Sequence, residues 1–353
     1  MNLQDNPLYK EDLNYVSSLP INWELLKNSS IMISGASGMV GSFLIDVLME
    51  KNIKENLNCM IFALGRNKDR AMERFNAYKD SPLFVFVAGD INDPINLDKD
   101  VDYIIHGASN THPIQYSTDP VGTITTNIIG TNNLLKYGRD HKTKRFVFLS
   151  SVEIYGENKG DTDQFAEDYL GYIDSNTARA GYPESKRCGE ALCQSYISQY
   201  DMDIVIPRLS RIYGPSMLLS DSKAISQFIK KGVAKEDIVL KSEGTQLYSY
   251  TYVADAVAGI LTILAKGKTG AAYNVSDPAS DITLRDLAKI IADHTNTKVV
   301  FELPDQIERA GYSTASKATL DSSKLRNELS FKTNYDMTKG LPRTIEILRD
   351  MIK

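Results

Sequence analysis

Tyr182 and Lys186 are the first candidates for chemistry, because they stand four positions apart in the stretch AGYPESKRCGEAL. Pro183 fits only the first turn of a helix, so the sequence predicts a helix from here to about residue 200. The two side chains then share one face. An ammonium near a phenol stabilises the phenolate and lowers the pKa of the tyrosine, which suits Tyr182 to acid/base chemistry. Taken alone, the same spacing is also typical of a solvated helix face.

A glycine-rich segment is the second candidate site. An apolar run predicts a strand, and Gly35, Gly38 and Gly41 then lead into a predicted helix. Glycines let the backbone turn tightly and approach a pyrophosphate, which the N–H groups of the helix N-terminus bind. In this strand-to-helix context, dinucleotide binding is favoured over a merely tight turn. Ser37 and Met39 in the same loop are also predicted cofactor contacts.

The end of the second predicted strand bears on the choice of dinucleotide. An acidic residue at this place would bind the ribose 2′-hydroxyl, but the sequence reads IFALGRNKDRA and its first carboxylate is Asp69. Arg66 could instead pair with a 2′-phosphate, which favours NADP over NAD. The alternative is that Arg66 is an ordinary surface arginine.

Alternating strands and helices must position these residues. Short apolar runs predict strands at about 30–34, 59–64, 83–88, 102–106, 145–150 and 203–209. Amphipathic stretches predict helices at about 39–50, 67–79, 120–138 and 182–200. This order predicts βαβ units, and hence an α/β fold with a doubly wound, Rossmann-type parallel sheet.

The predicted elements divide the chain into three parts. We expect an N-terminal extension over residues 1–28 and a dinucleotide-binding domain over residues 29–208. Residues 209–353 are expected to form mainly a smaller substrate-binding domain, with some segments returning to the Rossmann domain.

Length and composition limit the classes of function. A chain of 353 residues with 42% hydrophobic content can bury a substantial core. A net charge of −5 without a basic block argues against nucleic acid or an anionic membrane as the main partner. No apolar run is long enough to span a membrane and the N-terminus is too polar for a signal peptide, so we expect a cytoplasmic protein. Three cysteines and four histidines have no metal or redox spacing, so no metal site is expected.

Four motifs in chain order resemble those of extended short-chain dehydrogenases/reductases in the NAD-dependent epimerase/dehydratase family. They are the glycine loop, HGAS after the fourth strand, LSSVEIYG after the fifth, and YxxxK on the next helix. The likeness covers roughly residues 29–345. It implies a triad in which Ser151 binds the substrate hydroxyl, Tyr182 is the acid/base, and Lys186 holds the nicotinamide ribose. It also implies that hydride passes from a sugar carbon to a tightly bound nicotinamide and later returns.

The same resemblance implies further contacts and an assembly. The remaining implied cofactor contacts are Asp90, Ile91, Ala108 and Ser109. Asn127 matches a family position near the active site, although an asparagine that bridges helix backbone and loop is an equal alternative. Family members commonly pair through two helices per subunit, which implies a homodimer through helices 120–138 and 182–200.

Subfamily motifs favour a nucleotide-sugar decarboxylase. Glu153 stands where 4,6-dehydratases have the second residue of an Asp-Glu pair, but Val152 replaces the aspartate, which argues against dehydration. Galactose-type 4-epimerases usually lack this carboxylate, whereas decarboxylases of the UDP-xylose synthase type have it. Tyr116 matches a decarboxylase tyrosine near the sugar, and His112 in the same loop is either a substrate contact or an ordinary loop residue. Oxidation at C4 of a glucuronyl group would give a β-keto acid that loses carbon dioxide.

Three positions depart from the family pattern. An arginine is expected at Tyr248 and another at Ser216, and Arg211 replaces an expected asparagine. We predict that Arg211 restores a charge to the diphosphate site. Tyr248 is a candidate substrate contact, although core packing is the favoured role for this tyrosine. Other cations that could compensate are Lys223, Lys230 and Lys241. The rival functions are a nucleotide-sugar 4-epimerase, a 4,6-dehydratase, an enzyme of another sugar conjugate, and a non-catalytic dinucleotide-binding regulator.

Overall fold

The structure, a computed structural model, describes residues 2–111, 116, 118–302 and 315–352, so the candidate His112 lies outside the described residues. The strands are β1 (Ser30–Ser34), β2 (Met60–Gly65), β3 (Phe84–Ala88), β4 (Tyr103–His106), β5 (Arg145–Phe148), β6 (Ser150–Ser151), β7 (Ile204–Leu209), β8 (Arg211–Tyr213), β9 (Ile238–Leu240), β10 (Leu247–Tyr252), β11 (Ala272–Val275), β12 (Asp281–Thr283), β13 (Val299–Phe301) and β14 (Lys317–Ala318). The helices are α1 (Pro7–Ser17), α2 (Met39–Glu55), α3 (Lys68–Arg74), α4 (Pro120–Asp140), α5 (Gly181–Tyr200), α6 (Ala224–Ala234), α7 (Val253–Lys266), α8 (Leu284–Thr295), α9 (Ser323–Leu329) and α10 (Met337–Ile352).

The central sheet is parallel throughout and confirms the predicted Rossmann-type fold. Its strand order is β11-β7-β5-β4-β1-β2-β3, and the short β6 also pairs with β7. The chain order reverses between β1 and β4, which pair in register from Ile31 to Ser34. In doubly wound sheets, ligands bind at the carboxyl ends of the strands where the order reverses.

Two predicted elements are shorter than the sequence pattern indicated. Helix α3 ends at Arg74 and a 3-10 turn follows, because Phe75 leaves the helix axis to pack against Phe84 of β3. The predicted strand 145–150 breaks at Leu149, whose N–H donates to the carbonyl of His106. This break separates β5 from β6, and it lies beside the candidate catalytic residues.

The C-terminal part of the chain forms two smaller sheets. One joins β12, β10, β14 and β8, and the other pairs β13 with β9. Strand β7 ends at Leu209 and β8 begins at Arg211, which is where the domain boundary was predicted. Strand β11 returns to the central sheet beside β7. The division into dinucleotide-binding and substrate-binding domains stays a prediction.

The N-terminal extension packs against both parts of the molecule. Helix α1 contacts α2, α7 and α10. Tyr9 donates a hydrogen bond to Asp46 of α2, and Tyr15 donates one to Asp255 of α7. The extension therefore belongs to the folded core. Among the described helices, none is both long and apolar enough to cross a membrane.

Candidate active site

The glycine loop places two glycines where no side chain fits. Gly35 has a φ of +72°, and a Cβ atom on it would lie 2.8 Å from the backbone of Gly107 and Ala108. A Cβ atom on Gly41 would lie 2.4 Å from the Gly35 carbonyl oxygen. These contacts press the loop and the start of α2 against the end of β4, as a dinucleotide-binding turn requires.

The outer side of the same loop is open for an anion. The nearest atom to a Cβ placed on Gly38 is a carbonyl oxygen at 3.2 Å. Gly38 is the N-cap of α2 and supplies no side-chain hydrogen bond to the first turn, which begins at Met39. Ser37 lies half-buried beside it. The first N–H groups of a 17-residue helix therefore fit the pyrophosphate of a nicotinamide dinucleotide.

Three predicted cofactor contacts, Arg66, Asp90 and Ile91, follow the ends of β2 and β3. Arg66 follows β2 with a side chain that is 66% exposed, and its Nη1 atom lies 3.8 Å from a carboxylate oxygen of Asp90. Ile91 is buried against Gly130 of α4, where a Cβ atom would come within 2.4 Å of it. The charge of Arg66 is therefore shared with Asp90 across the open edge of this site.

The loop after β4 is tied to the tyrosine helix through Asn127. Ala108 N–H donates to Ser34 at 3.2 Å, and the Ser109 hydroxyl donates to Asn127 Oδ1 at 2.7 Å. Asn127 Nδ2 donates to the Ser185 hydroxyl at 2.8 Å on helix α5. Asn127 thus links the loop to helix α5 through two serine hydroxyls, and its predicted place near the active site stays a prediction.

The three triad residues come together at β6 and the start of α5. Burial raises the pKa of Tyr182 to about 12, while hydrogen bonds to the hydroxyls of Ser151 and Ser109 act in the opposite direction. The sequence led us to expect a lowered pKa for this phenol. The difference arises because Tyr182 is buried, and burial disfavours the phenolate.

Lys186 is almost fully buried behind the tyrosine. Its Nζ atom donates to the Leu149 carbonyl oxygen at 2.9 Å and lies 5.0 Å from the ring centre of Phe148. Burial lowers the pKa of Lys186 to about 8. Gly189 permits this close approach of α5 to β5, because a Cβ atom there would lie 2.4 Å from the Phe148 ring.

Glu153 lies between two arginines on different elements. It accepts from Arg179 Nη2 at 2.8 Å, and Arg211 Nη2 lies 3.5 Å from its other oxygen. The Arg211 guanidinium carbon is 3.6 Å from the ring centre of Tyr248, and that of Arg179 is 4.8 Å from the ring centre of Tyr116. We call these five residues the Glu153 cluster.

The Glu153 cluster touches the triad directly. Tyr116 stacks on Tyr182, with ring centres 5.0 Å apart and an interplanar angle of 28°. Within the described part of the chain, three buried guanidinium nitrogens of the cluster have no hydrogen-bond partner: Nε and Nη1 of Arg179, and Nη1 of Arg211. Two cations thus face one carboxylate and retain free donors, which is an arrangement able to bind a second anion.

Sequence reasoning missed Arg179. It lies three positions before Tyr182, in a 3-10 turn (Ala178–Ala180) that runs into α5. Residues three apart on a helical turn lie on one side, so the spacing in ARAGY was the available signal.

Ser216, Tyr248 and the proposed compensating lysines have partners within the protein. The Ser216 hydroxyl donates to the Met39 carbonyl oxygen at 3.1 Å, which joins its loop to the first turn of α2. The Tyr248 hydroxyl donates to a backbone carbonyl at 2.8 Å. The proposed compensating lysines contact Asp221 and Thr111 (Lys223), two backbone carbonyls (Lys230) and Glu302 (Lys241). Of the proposed compensating cations, Arg211 belongs to the Glu153 cluster, with its Nη2 atom 3.5 Å from a Glu153 carboxylate oxygen.

Comparison with known proteins identifies a family profile and relatives that match most of this chain. A profile described as the NAD dependent epimerase/dehydratase family matches residues 31–276. UDP-glucuronic acid decarboxylase 3 of Arabidopsis thaliana is 30% identical over 326 residues, which cover 91% of this chain and 90% of that protein.

Solved structures agree with the fold. The UDP-glucuronic acid 4-epimerase of Bacillus cereus, in complex with UDP-glucuronic acid and NAD, has a TM-score of 0.77 at 21% identity and covers 91% of this chain and 99% of its own. The dTDP-glucose 4,6-dehydratase of Bacillus anthracis, in complex with NAD, has a TM-score of 0.77 at 20% identity, with coverages of 91% and 97%.

Proposed function

The chain belongs to the NAD-dependent epimerase/dehydratase family, and we propose that it modifies a nucleotide-linked sugar by transient oxidation at C4, as a UDP-glucuronate decarboxylase does. The relatives named as UDP-glucuronic acid decarboxylases support this reaction. The observation that carries the proposal is the Glu153 cluster, because its two arginines stand beside Tyr182 with unpartnered donors.

The spare donors favour an acidic sugar over a neutral one. A C6 carboxylate bound between Arg179 and Arg211 would balance the two guanidinium charges together with Glu153. Each charge-assisted hydrogen bond is worth about 1.5–3 kcal/mol, whereas a neutral hydroxymethyl group would leave a buried cation without a counter-ion. In this proposal Arg211 acts at the sugar rather than at the diphosphate, where the sequence predicted it.

The proposed roles follow from position. The dinucleotide, when bound, accepts hydride from C4 of the sugar and returns it later. Tyr182 takes the proton of the C4 hydroxyl while Ser151 orients that hydroxyl, and Lys186 donates to a ribose hydroxyl. Because burial raises the pKa of Tyr182 to about 12, the positive charges of the oxidised cofactor and Lys186 are needed to make it an effective base. Loss of carbon dioxide from the β-keto acid leaves an enolate, and its C5 takes a proton from water, either directly or relayed through Glu153.

The rival reactions differ in what the site offers them. Dehydration needs an acid where buried Val152 stands. A 4-epimerase acting on a uronate would use the same arginines, so it remains the second candidate, and the structural likeness to a UDP-glucuronic acid 4-epimerase favours keeping it. A non-catalytic regulator has no need of the triad of Ser151, Tyr182 and Lys186.

Product analysis tests the reaction. Purified protein is incubated with UDP-glucuronate and NAD or NADP, and the product is examined by mass spectrometry and proton NMR. We expect loss of carbon dioxide to give a UDP-pentose, and no product from Tyr182→Phe, which should still bind dinucleotide. Unchanged mass with a new C4 configuration would establish the epimerase instead. UDP-glucose is the matched neutral ligand, and equal Kd values for UDP-glucose and UDP-glucuronate would contradict the carboxylate role of the arginines.

Two further parts of the proposal concern cofactor choice and assembly. We propose NAD or NADP as the cofactor, with Arg66 favouring the 2′-phosphate. Arg66→Ala should then weaken binding of NADP more than that of NAD; an equal effect would make Arg66 a surface residue.

We also propose a homodimer through α4 and α5, which expose Val121, Ile129 and Tyr200. Light scattering at micromolar concentration should give twice the chain mass, and a monomer would contradict the dimer.

A further inference from the structure

A buried ion pair lies one helical turn beyond Lys186 on α5. Arg208 of β7 donates from Nε at 3.0 Å and from Nη2 at 2.7 Å to the two carboxylate oxygens of Glu190. Both side chains are 12% exposed. The Ser150 hydroxyl of β6 donates to the same carboxylate at 2.6 Å. Glu190 therefore joins helix α5 to two strands of the sheet.

The three contacts converge on the segment that carries the triad serine. Ser150 precedes Ser151, and it pairs in register with Arg208 between β6 and β7. The residue before Ser150 is Leu149, whose carbonyl accepts from Lys186. The remaining Arg208 donor, Nη1, is held by the Tyr155 hydroxyl and the Glu167 carbonyl, each at 2.8 Å. Every nitrogen of the Arg208 guanidinium thus has a partner within the protein.

The charges around Lys186 give Glu190 a second effect. Burial lowers the pKa of Lys186, and the groups of α5 that act on it, Glu190 and Cys193, oppose that shift. From the sheet side, His106 of β4 faces it, and burial lowers the pKa of that imidazole to about 3, so it is neutral. Glu190 is therefore the anion one turn from Lys186, and Arg208 is the cation that it balances.

We infer that Glu190, held by Arg208, is a positioning residue for the proposed reaction: it fixes residues 149–151 against α5 and keeps Lys186 charged. The inference rests on the proposed function for the role of Lys186 as donor to the cofactor ribose. Neutral Gln in place of Glu190 leaves the Arg208 charge unbalanced. This unbalanced cation would add to the effect of burial and lower the pKa of Lys186 further. Removing Arg208 instead leaves the Glu190 charge unbalanced, which favours protonated Lys186 and raises its pKa.

The experiment is an NMR titration of Lys186 in protein labelled at lysine Cε, with Lys186→Met to assign the signal. In Glu190→Gln the midpoint should fall by about one pH unit, and in Arg208→Gln it should rise. Glu190→Asp should recover part of the loss. Glu184→Gln is the matched control on the same helix, because Glu184 is half-exposed and pairs only weakly, at 3.7 Å, with Arg187. Shifts of the Lys186 midpoint in opposite directions indicate an electrostatic effect, because a general loss of packing would shift the midpoint in the same direction in both variants.

Binding of NAD against pH is measured in parallel. The alkaline limit of binding should move with the Lys186 midpoint, so that Glu190→Gln binds about fivefold more weakly than the parent near pH 8. Folded variants whose Lys186 midpoint stays within a few tenths of a pH unit of the parent would overturn the inference. The lysine titration needs no cofactor, so a parent protein that binds no dinucleotide would count against the proposed function alone.

Discussion

Two buried clusters of this protein combine the same residue types and are used differently. Beneath α2, Asp46 accepts hydrogen bonds from Tyr9 at 2.5 Å and from Tyr78 at 3.0 Å, and it pairs with Arg74. In the Glu153 cluster a carboxylate also meets arginines and tyrosine rings. The first set, which we call the Asp46 cluster, joins the N-terminal extension to the dinucleotide-binding part, whereas the second lies beside the triad.

The difference lies in which donors have partners. The Asp46 cluster has one cation for one anion, and within the described residues none of its side-chain polar atoms is buried without a hydrogen bond. The Glu153 cluster has two cations for one anion and three unpartnered guanidinium nitrogens. A buried donor without a partner costs about 1–3 kcal/mol, so a protein keeps one chiefly where a ligand completes it. The two clusters therefore differ in whether their buried donors have hydrogen-bond partners.

Removal of both arginines of the Glu153 cluster should have the largest effect on activity. The double variant Arg179→Met, Arg211→Met should lower kcat/KM for UDP-glucuronate by about 1,000-fold, because two charge-assisted contacts of roughly 2 kcal/mol each are lost. Its free energy of unfolding should fall by less than that of Asp46→Asn, because unpartnered donors are removed with the charges and the Glu153 side chain, which loses its counter-ions, is 23% exposed. Steady-state kinetics and urea unfolding measure the two effects. Arg326→Met, an exposed position on α9, is the control.

Asp46→Asn is expected to lower stability and to leave activity nearly unchanged. Arg74 would remain largely buried without its counter-ion, so the free energy of unfolding should fall by about 3 kcal/mol. Well below the unfolding temperature, kcat should stay within about twofold of the parent. If Asp46→Asn instead lost activity while keeping its stability, polar satisfaction would not distinguish the two clusters.

A third prediction concerns the pH dependence of stability, which the buried carboxyl of Asp255 should cause. Asp255 anchors Tyr15 of the N-terminal extension and accepts from the N–H groups of Asn334 and Tyr335. Burial raises its pKa to about 7 from an ordinary 3.8. The folded state therefore holds this proton to higher pH than the unfolded chain, and the resulting stability is full below about pH 4 and lost as pH rises through 7.

Between pH 5 and pH 8 this one group should reduce the free energy of unfolding by about 2 kcal/mol. The loss should be absent from Asp255→Asn, which is less stable but has no carboxyl to titrate at this position. Urea unfolding of both proteins at the two pH values gives the comparison. Equal pH dependence in the parent and the variant would show that Asp255 is ionised throughout.

Sequence analysis reached the parts of this structure that local patterns encode. Alternating strands and helices predicted the parallel sheet, and the glycine spacing predicted the turn into α2. Short-range spacing also brought Tyr182 and Lys186 onto one helix. Such features depend on residues a few positions apart, for which periodicity is a direct signal.

The features that were missed depend on contacts distant in sequence. Glu153 meets Arg179 from 26 positions away and Arg211 from 58 positions away, and no periodic pattern encodes that meeting. The sequence revealed the lysine that could lower the pKa of Tyr182, but not the burial that raises it. Spacing locates charged partners, whereas the degree of desolvation is set only by the assembled fold.

The smallest effect expected is that of Tyr9→Phe in the Asp46 cluster. The phenol donates to Asp46 and lies 3.3 Å from Arg74 Nη2, but without it the carboxylate and the guanidinium still satisfy each other. We therefore expect a loss of about 1 kcal/mol in the free energy of unfolding and no change in kcat. Tyr200→Phe, at a more exposed ring, is the control and should change stability by less. A loss as large as that of Asp46→Asn would mean that the hydroxyl holds the ion pair together, so that the cluster depends on every member rather than on its charges.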